Sequence, residues 1–325
     1  MAYVIGVDCG TSGTKTVLFR EDGTVMASAT VEYPMYQPKN GYAEQDPADW
    51  KAAMIRTIQI VVTKSGVAKE EIKGIGISGQ MHGLVMLDKE NQVLRKSIIW
   101  CDQRTAAEVE EMNRVVGREK LMEITANPAL TGWTAAKILW VRNNEPDVYE
   151  KCRHILLPKD YLRLILTGEY ATEVSDASGM QLLDIANRCW SDELLHLLQI
   201  DKDLLGKVHE SCEVTGTLTR EMADTLGLCE GTVVVGGAGD KAGPARSACR
   251  HWRGRRKRCR CGRYRRCQGR QGIYHDRYLR RGICPYFFYG NGHKGQSTHL
   301  LCSRSQQLAR YGCDTGCRSV AEVVP

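Results

Sequence analysis

The sequence predicts an α/β domain over residues 1–243, a mixed sheet flanked by helices, followed by a tail over 244–325 of a different character. Three observations predict it. Short apolar runs end in glycine-rich turns that carry polar side chains. Strand-like and hairpin-like segments come first and helical ones after them, which is how such layers bury their apolar faces. Charge and cysteine content then change abruptly near residue 244.

Residues 2–8 are an apolar run closed by a Gly-rich turn, which suits a buried first strand. Residues 14–20 and 24–32 are β-rich and flank Glu21-Asp22-Gly23, a hairpin signal. Residues 49–62 have helical apolar spacing, and Asp46-Pro47 before them is a candidate N-terminal cap. Residues 74–78 predict a short buried strand. Residues 84–87 predict another, pairing with 91–100 across Asp88-Lys89-Glu90. Helical spacing follows over 106–116, 134–143, 161–166, 192–198 and 220–226. Residues 232–235 predict a last strand, running into Gly236-Gly237-Ala238-Gly239-Asp240.

The 325 residues carry 45 Lys+Arg and 38 Asp+Glu, a net charge of +7. That sum hides a split. Residues 244–325 hold 17 Arg and 2 Lys against three acidic residues, a net +16, while residues 1–243 hold 26 basic and 35 acidic residues, a net −9. Eight of the 14 cysteines also lie in the tail. No apolar run reaches the ~18 residues a membrane helix needs. The start MAYVIGVDCG has neither a basic leader nor a small-residue cleavage site, so a cytoplasmic protein without a membrane partner is expected.

Four constellations offer chemistry. Asp8-Cys9-Gly10-Thr11-Ser12-Gly13-Thr14-Lys15 follows the first strand, with glycines that let N–H groups face a polyanion and hydroxyls that add donors. Its Asp8 is placed to serve Mg²⁺ beside a phosphate. The spacing is not that of a P-loop, and a plain hairpin turn explains it equally well. Gly79-Gln80-Met81-His82-Gly83 sets an amide and an imidazole among glycines at a second strand end; the alternative is a structural histidine. In Trp100-Cys101-Asp102-Gln103-Arg104, Trp100 offers a stacking face and Asp102 and Arg104 a polar clamp, or else Asp102 caps a helix and Trp100 is core. Gly237-Ala238-Gly239-Asp240 presents a carboxylate able to take a hydroxyl proton as general base, or is a simple turn. All four lie at predicted strand ends, the ligand-binding edge of α/β sheets.

Taken together, these motifs resemble those of the FGGY family of sugar kinases, within the actin-like, ribonuclease-H-like ATPases. Leu157-Pro-Lys-Asp-Tyr-Leu-Arg163, Thr167-Gly-Glu169, Ser175-Asp-Ala-Ser-Gly179 and Gly236-Gly-Ala-Gly-Asp240 add to the likeness, which covers residues 2–241. The resemblance implies transfer of the γ-phosphoryl of ATP to a sugar hydroxyl, with Mg²⁺. By it, Asp240 is the catalytic base and Asp8 serves Mg·ATP. Gly10, Thr11, Ser12 and Lys15 would lie in the phosphate-facing hairpin. Gln80, Met81 and His82 would bind substrate, with Trp100, Asp102 and Arg104 nearby. Within the family, Gln80-Met81-His82-Gly83 favours D-xylulose over ribulose, glycerol or gluconate. One departure stands out: the family has Asn after the catalytic Asp and then a Gly/Ala-rich helix, whereas this chain has Lys241 and Pro244.

The tail does not resemble the family's second domain. A net +16 suits phosphate contacts, so a non-enzymatic protein with a nucleic-acid-binding tail is the competing expectation. Cys259, Cys261, Cys267, His275 and Cys284 lack CxxC pairs, which argues against zinc. An excess of Arg, Cys, Gly and Trp is instead what GC-rich coding DNA yields out of frame. Residues 308–325 can be encoded so that the shifted frame reads WHVMGVTQAAGLSLKWF, and residues 270–286 so that it reads GRAFTTIGTSGVVFAH. Both resemble the family's second domain. The tail is therefore expected to be an out-of-frame remnant of the ATP-binding domain, and no nucleic-acid partner is expected.

Overall fold

The computed structural model describes residues 1–240. They belong to the first of two units, Met1–Gly269 and Arg270–Pro325. The boundary expected at 243/244, the tail's reading frame and its cysteines lie outside the described residues.

Three antiparallel strands open the chain: β1 (Tyr3–Cys9), β2 (Gly13–Arg20) and β3 (Val25–Glu32). Every second residue of β2 from Thr14 to Leu18 is buried, the period of a strand with one covered face. Helix α1 (Pro47–Ser65) covers that face. Asp46 caps it by accepting the Ala48 N–H at 2.9 Å, and Gly66 at φ +64° ends it. Its buried residues Trp50, Ala53, Met54, Thr57, Ile58 and Val61 form one stripe. Within it, the Thr57 hydroxyl donates to Ala53 O at 2.9 Å and its oxygen accepts the Thr16 hydroxyl of β2 at 2.7 Å, so both buried hydroxyls are satisfied.

The sheet continues on the other side of β1 with the parallel strand Ile72–Gly79, then the parallel Val233–Val235, then the antiparallel Val214–Thr217 at the edge. After Val235 the chain kinks through Gly236 and Gly237, and Ala238–Gly239 rejoins the far end of the Ile72–Gly79 strand. Only glycine fits the kink: Gly237 has φ +80°, and a Cβ there would lie 2.0 Å from the Ile77 carbonyl oxygen. Three strand ends, those of β1, Ile72–Gly79 and Ala238–Gly239, are thereby brought to one edge.

A second core lies apart from the sheet core. It gathers Leu84, Met86, Leu139, Ile155, Leu182 and Leu194, with helices Ala106–Val115, Thr134–Asn144 and Asp192–Leu198 packed around it. Here one expectation holds in part. Residues 84–87 meet 91–100 antiparallel, through the bridges Leu87↔Val93 and Leu84↔Ile98 and the Leu94 N–H donating to Met86 O at 3.0 Å, but not as a continuous ladder. Val85–Leu87 is buried throughout and needs a further strand to complete its pairing. The antiparallel strand His154–Leu156 supplies it, bringing buried Ile155 and Leu156. Ser97–Ile98 pairs instead with Glu44–Gln45. The helix expected at 161–166 runs Pro158–Thr167, with proline at its first position, and it is buried on almost every side.

Candidate active site

At the shared edge, Asp8 stands opposite Ser78, and the Ser78 hydroxyl donates to Asp8 Oδ1 at 2.9 Å. The Asp240 N–H donates to the Gly79 carbonyl at 3.1 Å, so the last strand end delivers Asp240 beside the first. Asp240 is open to solvent on one side and crowded by protein on the others. That crowding first, and the neighbouring Asp8 charge second, push its carboxyl up to about 7. A carboxylate with such a value is a base poised at neutral pH.

The turn between β1 and β2 is braced from behind. Gly10 N–H donates to Gly13 O at 3.1 Å, which closes the turn, and the Tyr33 hydroxyl donates to Gly10 O at 2.5 Å. Gln45 Nε2 donates to Thr11 O at 2.7 Å, and Gln80 Nε2 donates to Gln45 Oε1 at 2.7 Å. Gln80 is buried, so its amide supports the turn from below. Trp100 Nε1 donates to Thr11 Oγ1 at 2.9 Å from the other flank. Ser12 at the tip and Lys15 on β2 are exposed, Gly10 and Thr11 partly so. Cys9 beneath them is buried and its thiol is pushed up to about 12 by burial, so it is inert packing.

Met81 and His82 line the same edge. Met81 packs against Gly239, where a Cβ would come within 3.0 Å of Met81 Cγ. His82, at φ +64°, sets Nδ1 2.8 Å from the Gly179 carbonyl. A carbonyl only accepts, so Nδ1 carries a proton. The ring stacks on Trp133 with centroids 4.4 Å apart, and a Cβ at Gly179 would collide with it at 2.6 Å. Buried Lys137 donates to His82 O at 2.7 Å and to Gly132 O at 2.9 Å, and burial pushes its ammonium down to about 7.

Asp102 and Arg104 are engaged with each other. Arg104 Nη2 reaches Asp102 Oδ2 at 2.7 Å, and its Nη1 lies 2.8 Å from Glu44 Oε1. Asp102 also accepts the Ala43 N–H at 2.6 Å, while the guanidinium lies 3.9 Å over the Tyr42 ring. This pair fixes the loop before α1 to the segment that carries Trp100. The alternative of a capping Asp102 and a core Trp100 does not hold. Trp100 is 48 % exposed, and helix Ala106–Val115 follows Thr105 with no side-chain cap.

Several residues were not legible in advance. Tyr33 and Gln45, which brace the turn, stand in no motif. Lys137, Lys159, Glu173 and Asp176 are all buried, and nothing in a single sequence separates a buried charge from a solvated one. Lys159 and Asp176 do fall inside segments that carried the family likeness, but without a role.

A mixed sheet whose hairpin turn and two further strand ends gather carboxylates at one edge defines the N-terminal half of an actin-like ATPase fold. The particular lineage follows from comparison. Residues 3–245 match the model of the FGGY family of carbohydrate kinases, N-terminal domain, and the chain belongs to that family. It is 43% identical over 242 residues to a xylulose kinase of Bacillus subtilis, covering 74% of this chain and 48% of the relative. Among solved structures it is similar to a xylulose kinase from Rhodospirillum rubrum, with 32% identity, a TM-score of 0.71, and 73% and 49% of the two chains covered. A gluconate kinase from Lactobacillus acidophilus gives 30% identity and a TM-score of 0.70 over 74% and 48%. The chain spans about half the length of the curated relatives it matches.

Proposed function

We propose that residues 1–240 are the sugar-side half of a kinase that transfers the γ-phosphoryl of ATP to D-xylulose, giving D-xylulose 5-phosphate. The observation that carries this reading is the Asp8–Asp240 pair, with Asp240 held near neutrality. Asp240 takes the proton of O5 as that oxygen bonds to the γ-phosphorus and the bond from phosphorus to the bridging oxygen breaks; ADP leaves with that oxygen, and the protonated Asp240 then returns its proton to solvent. Met81 and His82 face the sugar, and His82 is held in one tautomer by Gly179. Trp100 offers an exposed ring at the rim. Gly10, Thr11, Ser12 and Lys15 form the side of the cleft that meets phosphate oxygens.

Neither Asp8 nor Asp240 has an ion-pair partner among the described residues. Adjacent oxygen donors with uncompensated charge fit Mg²⁺, which uses one or two carboxylates and completes its shell with phosphate and water. Asp8 would hold it, and once bound it neutralises charge on the transferred phosphoryl group. The names of the Bacillus subtilis and Rhodospirillum rubrum relatives, together with Gln80-Met81-His82-Gly83, favour D-xylulose as acceptor. The gluconate kinase likeness makes gluconate the acceptor to test against it.

The test is a chimera in which residues 1–240 replace the matching half of the Bacillus subtilis enzyme. D-xylulose-dependent ADP release that exceeds release with gluconate and disappears in Asp240→Asn is expected; a preference for gluconate, or activity without Asp240, overturns the reading. We infer as well that 244–325 is an out-of-frame remnant, supported by a family match that stops at 245 beside the change in charge. The chain as it stands is then expected to turn over several orders of magnitude more slowly than an intact kinase. Resequencing codons 240–260 tests the frame, and an intact in-frame reading refutes it.

A further inference from the structure

The turn that carries Asp240 is built almost without side chains. Gly236, Gly237 and Gly239 have no side chain to pack and Ala238 only a buried methyl, so hydrogen bonds largely fix where Asp240 points. Besides the Asp240 N–H bond to Gly79 O and the Gly236 N–H bond to Glu213 O, they lead to one buried carboxylate. Glu173 is fully buried, and its Oε1 accepts the Ser175 hydroxyl at 2.7 Å and the Asp176 N–H at 2.9 Å. Its Oε2 accepts the Ser211 hydroxyl at 2.6 Å and the Ser175 N–H at 2.8 Å. Ser175 has one hydroxyl proton, spent on Glu173, so its oxygen is left to accept the Gly239 N–H at 3.1 Å. Ser211, held by the other oxygen, accepts the Gly237 N–H on its carbonyl at 3.1 Å. Arg163 closes the remaining side by donating to Gly236 O at 2.9 Å.

We propose that Glu173 is a positioning residue for Asp240, acting through Ser175 and Ser211 on the backbone of the 236–240 turn. The role of Asp240 as base rests on the kinase reading above; the clamp itself does not. Four donors converge on Glu173, and only a carboxylate accepts all four. An amide in its place would turn an NH₂ toward one backbone N–H and one hydroxyl, and the hydroxyl could then reverse and release Gly239. The charge is affordable because Lys159 stands 3.6 Å from Glu173 Oε1, in a cluster where Lys159 and Arg163 also hold Asp160. Neither Lys159 nor Arg163 forms an ion pair with Asp240, and Arg163 reaches the turn at the Gly236 carbonyl.

Amide exchange on the full chain, without sugar or nucleotide, reads the clamp. In Ser175→Ala the Gly239 amide is expected to exchange about ten-fold faster, the effect of losing one hydrogen bond. Ser175→Thr, which keeps the hydroxyl, is expected to restore it. Glu173→Gln is expected to speed both Gly237 and Gly239. The amides of β1 should stay protected in both Ser175 variants, and the Asp240 carboxyl ¹³C shift at fixed pH should move in Ser175→Ala and return in Ser175→Thr. Unchanged exchange at Gly239 in Ser175→Ala, or equally fast exchange in Ser175→Thr, overturns the proposal. Such a failure leaves the kinase reading standing, whereas an Asp240-independent chimera would sink that reading and leave the clamp intact.

Discussion

Two groups of carboxylates lie on either side of the last strand and solve the same electrostatic problem in opposite ways. Behind it, Asp160, Glu173 and Asp176 are fully buried with Lys159 and Arg163 among them. Lys159 lies 2.6 Å from Asp160 and 3.5 Å from Asp176, and the Asp160 carboxyl is held below the usual range by Lys159 and Arg163 against its burial. Asp176 makes no hydrogen bond through either oxygen, and burial drives its carboxyl well above that range. Two cations thus stand among three carboxyls. In front of the strand, Asp8 and Asp240 meet with no ion-pair partner among the described residues, and crowding together with the Asp8 charge pushes the Asp240 carboxyl up to about 7. A buried group that is balanced in place becomes scaffold. One left unbalanced at an open edge is free to move a proton or take a metal ion.

Breaking the balanced side is expected to cost most. Lys159→Met leaves Asp160 and Glu173 buried without their central cation, and a loss of about 3–5 kcal/mol in urea unfolding is the scale of such a break. Asp240→Asn acts on the unbalanced side. In the chimera it is expected to lower kcat about 10²–10⁴-fold, the scale of a lost general base, while the melting temperature at pH 7 does not fall.

The same substitution sharpens the contrast through pH. With a folded value of about 7 against an unfolded 3.8, the native state holds the extra proton between those limits. Asp240 therefore destabilises the fold progressively as pH rises from 4 to 7, and fully above 7. Asp240→Asn is expected to raise the melting temperature at pH 8 and to leave it nearly unchanged at pH 4. An equal gain at both would show that Asp240 titrates normally. The smallest effect is expected at the rim. Trp100→Phe removes the 2.9 Å bond to Thr11 at an exposed site, and about 0.5–1.5 kcal/mol is the most it should cost in urea unfolding.

Sequence patterns revealed the open side far better than the buried one. Apolar runs that stop at glycine announce strand ends, so Asp8, His82 and Asp240 stood out, and the hairpin of β2 and β3 and the helical spacing of α1 were plain. The structure adds what those patterns cannot encode. The helix that begins at Pro158 carries Lys159, Asp160 and Arg163 inward, although three charges in seven residues read as a solvated face. Gln80 belongs to a site motif yet works from beneath the turn, because its partner Gln45 lies 35 residues away with no local signal. Val85–Leu87 finds its ladder at His154–Leu156, a pairing that depends on burial of both faces rather than on a nearby turn.

The central claim is that crowding and the neighbouring Asp8 charge hold Asp240 near neutrality at the open edge. Carboxyl ¹³C titration of the full chain tests it directly. The account predicts that Asp240 titrates near 7 and falls only part of the way in Asp8→Asn, because the crowding remains, whereas a midpoint near 4 in the parent chain would contradict it.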